Sequence, residues 1–118
     1  MDMQKLLYEN LKDIKDYWVK TSVEGITRNT DLIWSEVELQ YKILRDKIAS
    51  DEEKIAYEKI INEVIKGVIH SVLVMIDGGD KLADHYLIDL IEQKTRKSIK
   101  ENGALHEAFY EYLLDVEE

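Results

Sequence analysis

SDEEKIAYEKIINEVIKGVIHSVLVMIDGG, residues Ser50 to Gly79, decides the fold class. A serine followed three positions later by a glutamate is the capping box, in which each side chain accepts from the other residue's backbone N–H at a helix start. Asp51, Glu52 and Glu53 also set negative charge against the positive end of the helix dipole. Tyr57, Ile61, Val64, Val68, Val72 and Met75 then recur at helical spacing. Ile60, Ile65, Ile69, Leu73 and Ile76 make a second stripe beside them. A helix apolar around so much of its circumference is expected to be buried by several neighbours. That makes this third helix the centre of the fold. The β-branched run Val68–Ile76 leaves a buried strand as the alternative. In Asp77-Gly78-Gly79-Asp80, one glycine is expected to close the helix in the left-handed conformation.

Working outward, Met3, Leu7, Leu11, Ile14 and Trp18 share a helical face and indicate a first helix over residues 3–20. Residues 21–29, with Gly25 inside, read as a loop. A second helix is expected over 30–49, capped by Thr30 or Asp31, with the stripe Ile33, Val37, Tyr41, Leu44 and Ile48 and with Trp34 at its edge. A fourth is expected over 103–115, capped by Asn102, with Leu105, Phe109, Tyr112, Leu113 and Val116 inward. Tyr86–Ile91 is rich in strand-favouring residues, and a small β-hairpin over 86–99 is the expectation there, with a short helix as the alternative. The reading is therefore a mainly α single domain over 1–118, a helical bundle around a long buried third helix, formally α+β if the hairpin forms.

The 118 residues contain no cysteine and no proline. Disulfides, thiolate metal sites and cysteine nucleophiles are thereby excluded, and few breakers mean long helices. No cofactor motif is present. Gly78-Gly79 has neither the ending of a P-loop nor the spacing of a dinucleotide fold. No serine has a glycine-flanked elbow. Met1–Lys5 runs into a charged amphipathic stretch, so neither a signal peptide nor a membrane span is expected, and a cytoplasmic location fits. The net charge is −9, and residues 76–118 carry eleven acids against five bases. Phosphate contacts need a basic face, so nucleic acid is an unsuitable partner, whereas a basic protein is a suitable one.

Asp77, Asp80 and Asp84 beside His85 supply oxygen and nitrogen ligands within one short segment, although not in EF-hand order. The plainer reading is a solvated loop. His70 and Asp77 lie two helical turns apart and share a face. If His106 folded back beside them, a histidine–carboxylate site would form. Such a site would make the protein metal-binding, or a metal-dependent enzyme, through His70, Asp77, Asp80, Asp84, His85 or His106. A lone histidine on an apolar helix is otherwise a core residue with one satisfied nitrogen.

Ile69–Gly79 and Ala104–Leu113 together resemble small uncharacterised bacterial proteins, some of them of the toxin-immunity type. The likeness is confined to the chain from Ile69 onward and carries no diagnostic motif. It implies a non-enzymatic cytoplasmic protein that neutralises a toxin by binding it. The leading expectation is thus a protein-binding module, immunity or regulatory, that engages a basic partner through its acidic C-terminal third. It requires an exposed face combining carboxylates with aromatics. A homodimer through the apolar third helix is a further possibility.

Overall fold

The computed structural model describes residues 2–27 and 35–117. They form four α-helices: α1 (Met3–Thr27), α2 (Glu38–Lys47), α3 (Asp51–Ile76) and α4 (Leu105–Val116). Two 3-10 turns, Lys81–Asp84 and Ile99–Asn102, lie between α3 and α4. The protein is mainly α, as the periodicity indicates, and no strand occurs among the described residues. Thr30, Asp31, Ile33 and Trp34 lie outside the described residues. The chain divides into two compact units. The terminal unit is Met1–Asp13 with Lys66–Glu118, and the middle unit is Ile14–Ile65.

α3 starts as its capping box requires. Ser50 Oγ accepts from the Glu53 N–H at 3.1 Å, and Glu53 Oε1 accepts from the Ser50 N–H at 2.9 Å. The helix runs unbroken to Ile76, so the β-branched half is not a strand. Gly78 then takes φ +77°. Its N–H bonds Met75 O and the Gly79 N–H bonds Val74 O, the paired bonds of a Schellman closure.

α3 is not buried all round. Leu73 and Ile76 are its only buried residues, while Ile60, Val64, Val68 and Val72 are exposed. Apolarity on every side fits a buried helix but does not by itself create neighbours to bury it.

α1 continues through the expected loop at 21–27 because Gly25 serves close packing, not chain reversal. A Cβ at Gly25 would sit 2.6 Å from Tyr41 Cε1, and the Arg45 Nε–H donates to Gly25 O at 2.6 Å. The buried face of α1 is Gln4, Tyr8, Lys15, Val19 and Ile26, one position round from the apolar stripe, whose Ile14 and Trp18 are exposed. Its polar members are all bonded. Gln4 Nε2 donates to Ile99 O at 2.8 Å, and Lys15 Nζ donates to Asn62 Oδ1 at 2.7 Å and Asp16 Oδ1 at 2.8 Å.

The hairpin expected over 86–99 does not form. Leu90–Ile99 and Glu92–Lys97 are joined by one backbone bond each around the isolated antiparallel bridge Ile91–Ser98. Side chains take the groups a ladder would use. Lys100 Nζ donates to Ile88 O at 2.9 Å, the Ser98 hydroxyl donates to Asp89 Oδ1 at 2.7 Å, and Glu92 Oε2 accepts from the Thr95 N–H at 2.6 Å.

The core of the terminal unit joins Tyr8, Leu73, Ile76, Leu105, Phe109 and Leu113. The inward stripe read for α4 holds at Leu105, Phe109 and Leu113, while Val116 is exposed. Tyr8 and Phe109 pack with ring centroids 5.5 Å apart, and the Tyr8 hydroxyl donates to Leu105 O at 3.2 Å.

Candidate functional site

The Schellman turn fixes where Asp77 points. Its carboxylate lies at the start of α4, where the first backbone N–H groups lack partners within the helix. Asp77 Oδ1 accepts from the Leu105 N–H at 3.0 Å and Oδ2 from the His106 N–H at 2.9 Å. The cap position of α4 is Ala104 and not Asn102, and since alanine carries no polar side-chain atom the capping acceptor comes from the end of α3. The carboxylate also faces the positive end of the α4 dipole. At the same α3 terminus, Lys100 Nζ donates to Ile76 O at 2.9 Å and sets a cation against the negative end of α3.

Asp77 holds His106 a second time. His106 Nδ1 lies 2.6 Å from Asp77 Oδ2, with the Asp77 side chain 6% exposed. A carboxylate acceptor places the ring proton on Nδ1 and leaves the Nε2 lone pair outward. Burial alone would raise the Asp77 pKa. The N–H groups of Leu105 and His106 and the His106 ring outweigh it and hold the carboxyl below its ordinary 3.8. Burial, with Asp77 and Asp2 adding negative charge, pushes the Tyr8 phenol up to about 12, so it stays a neutral donor.

His70 meets His106 edge-to-face, ring centroids 5.5 Å apart. One turn earlier on α3, Lys66 Nζ sits 5.5 Å from the Tyr110 ring centroid. The structure therefore brings His70, Asp77 and His106 together. Asp80, Asp84 and His85 are exposed, and no three His, Cys, Asp or Glu side chains among the described residues are grouped as a ligand set. Sequence reasoning missed Lys100 as a partner of the α3 carbonyls. A lysine distant along the chain carries no local signal of that role.

No protein-family model, curated protein or solved structure matches the chain. Function must accordingly be read from its own surfaces. No helix among the described residues is long and apolar enough to cross a membrane. A polar cleft of about 550 Å³ lies beside Gln4, Glu92, Thr95 and Ser98. Gln4 there donates to the Ile99 carbonyl, the Thr95 hydroxyl to Glu92, and the Ser98 hydroxyl to Asp89, so these three groups are committed to holding the local chain.

The outer face of α4 is of another kind. Glu107, Tyr110, Glu111, Leu114 and Asp115 follow at helical spacing, and all are exposed. Carboxylates alternate there with a tyrosine and a leucine, opposite the buried stripe Leu105, Phe109 and Leu113.

Proposed function

We propose that the protein is a non-enzymatic protein-binding module, immunity or regulatory in type, whose docking face is the exposed side of α4. The alternation of Glu107, Glu111 and Asp115 with Tyr110 and Leu114 carries this reading. Tyrosine supplies a large contact area at low entropic cost, and the acids select a basic partner. Tyr110 already sits against one ammonium, that of Lys66. The net charge of −9 favours encounter with a basic protein.

The test places a photo-crosslinking amino acid at position 110, and in a second protein at the exposed Leu87, in the source cells. The expected result is a basic protein captured from position 110 and not from 87. With that protein purified, Tyr110→Ala and Glu111→Lys should each weaken the complex by about tenfold or more, and added salt should weaken it further. Identical captures from both positions, or an unchanged affinity in both variants, would count against α4 as the docking face.

A second copy of the chain is the other partner with an observation in its favour. In the middle unit α2 buries no residue, although it carries Leu39 (71% exposed) and Ile43. Equilibrium sedimentation separates the two readings. A dimer that Leu39→Glu dissociates supports self-association, and a monomer at all concentrations removes it.

A further inference from the structure

We propose that the polar cleft of the terminal unit binds a small organic diamine or polyamine, whose ammonium groups donate to Gln4 Oε1 and to the carboxylates of Asp2, Glu92 and Glu101. The cleft has acceptors to spare and few donors, and one of those acceptors belongs to a buried residue.

Gln4 stands in the first turn of α1 and is only 8% exposed. Its Nε2 donates to Ile99 O at 2.8 Å and to Gly103 O at 3.3 Å. Both partners are carbonyl oxygens, which only accept, so they hold the amide nitrogen toward them and turn the amide oxygen away. Gln4 Oε1 makes no hydrogen bond among the described residues. It is not sealed off, since no wholly buried side-chain N or O atom among the described residues lacks a partner. Gln4 lines the cleft of about 550 Å³ and a shallower one of about 240 Å³, which share Asp2 and Gln4. The little surface that Gln4 keeps opens into this acid-lined hollow, with Oε1 as its unsatisfied acceptor.

The donors along the wall are already used. Thr95 Oγ1 donates to Glu92 Oε2 at 2.9 Å, and the Ser98 hydroxyl donates to Asp89 Oδ1 at 2.7 Å. Lys97 is the one base lining the larger cleft, against Asp2, Glu92 and Glu101. Glu101 is exposed and makes no side-chain hydrogen bond or ion pair among the described residues. Such a wall selects a ligand that carries positive charge on N–H groups. Met3 and Ile99 add half-buried apolar surface to it, which suits the methylenes between two ammonium groups better than a bare cation. A volume of about 550 Å³ is ample for such a molecule. Neither Glu107 nor Tyr110 lines either hollow, so the inference stands apart from the docking face of α4.

The test is calorimetric titration of the full chain at low salt with hexamethylenediamine, and in parallel with hexamethonium, which has the same charge and chain but no N–H. The expected result is one saturable site with Kd below about 100 µM for the diamine, and binding at least about tenfold weaker for hexamethonium. Glu101→Gln, a change to an exposed side chain, should weaken the diamine by about fivefold, and Lys97→Gln, which removes the competing charge, should tighten it by about threefold. In NMR spectra the side-chain amide signals of Gln4 should move on titration while the backbone amide of Leu87 stays in place. A protein lysine offers the same ammonium, so lysine with both backbone ends blocked is the third probe. Binding as tight as the diamine's would overturn a diamine site in favour of one for a partner's lysine. The inference is also overturned if the diamine does not saturate, if hexamethonium matches it, or if the Gln4 signals do not move.

Discussion

In the terminal unit Leu105, Phe109, Leu113, Leu73 and Tyr8 are almost wholly buried, and they touch one another. Among the described residues of the middle unit the deepest side chain is that of a lysine. Lys15 is 0% exposed, while the buried apolar residues there are Val19 and Ile26. The same unit exposes Ile14, Tyr17, Trp18, Leu39, Ile43, Ile55, Ile60 and Val64. Both regions are helical and similar in composition, so helix-forming sequence alone does not make a core. A core needs facing stripes, and the terminal unit has them on α3 and α4. The middle unit spends one of its buried positions on a cation that must be satisfied by Asn62 and Asp16. A buried charge of that kind adds little net stability, because desolvation offsets most of the attraction.

The sharpest way to break this contrast is to truncate one side chain in each unit. Phe109→Ala, at 1% exposure, should cost about 3–5 kcal/mol, whereas Leu39→Ala should change stability by less than about 0.5 kcal/mol. Urea denaturation of both variants measures it. Equal losses would mean that the middle unit has a core of comparable weight.

Next in size is the α3–α4 latch. Asp77→Ala leaves the Leu105 and His106 N–H groups without their acceptor and should cost about 1–3 kcal/mol. The pH dependence has a definite sign. The folded-state pKa of Asp77 lies below its ordinary 3.8, so its contribution is fully present above that value and is lost as pH falls through the folded pKa. The stability gap between wild type and Asp77→Asn should therefore narrow as the pH is lowered below 3.8. A gap that stays constant would remove the carboxylate's charge from the account.

Two glycines give effects of opposite sign, the first comparable to the latch and the second the smallest. At Gly25 a methyl group would meet the Tyr41 ring at 2.6 and 2.8 Å, so Gly25→Ala should destabilise by about 1–3 kcal/mol despite its better helix propensity. At Gly67 nothing lies within 4 Å of an added Cβ, so Gly67→Ala should stabilise by about 0.5–1 kcal/mol. Thermal melts of the two variants should move in opposite directions.

What could be read from the sequence follows the range of the interactions. The capping box at Ser50 and Glu53, the glycine closure after Ile76 and the inward positions Leu105, Phe109 and Leu113 of α4 are encoded within a few residues, and all three form, while Val116 at the fraying end of the stripe stays exposed. The buried face of α1 is not its apolar stripe, because Gln4 and Lys15, which look like surface residues, turn inward. Their burial depends on Ile99 O and Asn62, far away in the chain. Gly25 read as a breaker because the Tyr41 ring against it is invisible locally. The hairpin failed for a similar reason, since Lys100 takes the Ile88 carbonyl. Of the site, the shared face of His70 and Asp77 was legible from their spacing. The return of His106 was only a condition, and the capping role of Asp77 could not be seen, because it depends on where α4 begins.

The most direct test of the contrast is native-state hydrogen exchange, comparing the amides of α2 with those of α4 in one experiment. The account expects Phe109 to Leu113 to exchange only through global unfolding, with α2 from Tyr41 to Lys47 exchanging far sooner through local opening. Equal protection in the two helices would contradict it, and would show that the middle unit is held as firmly as the unit built on Phe109.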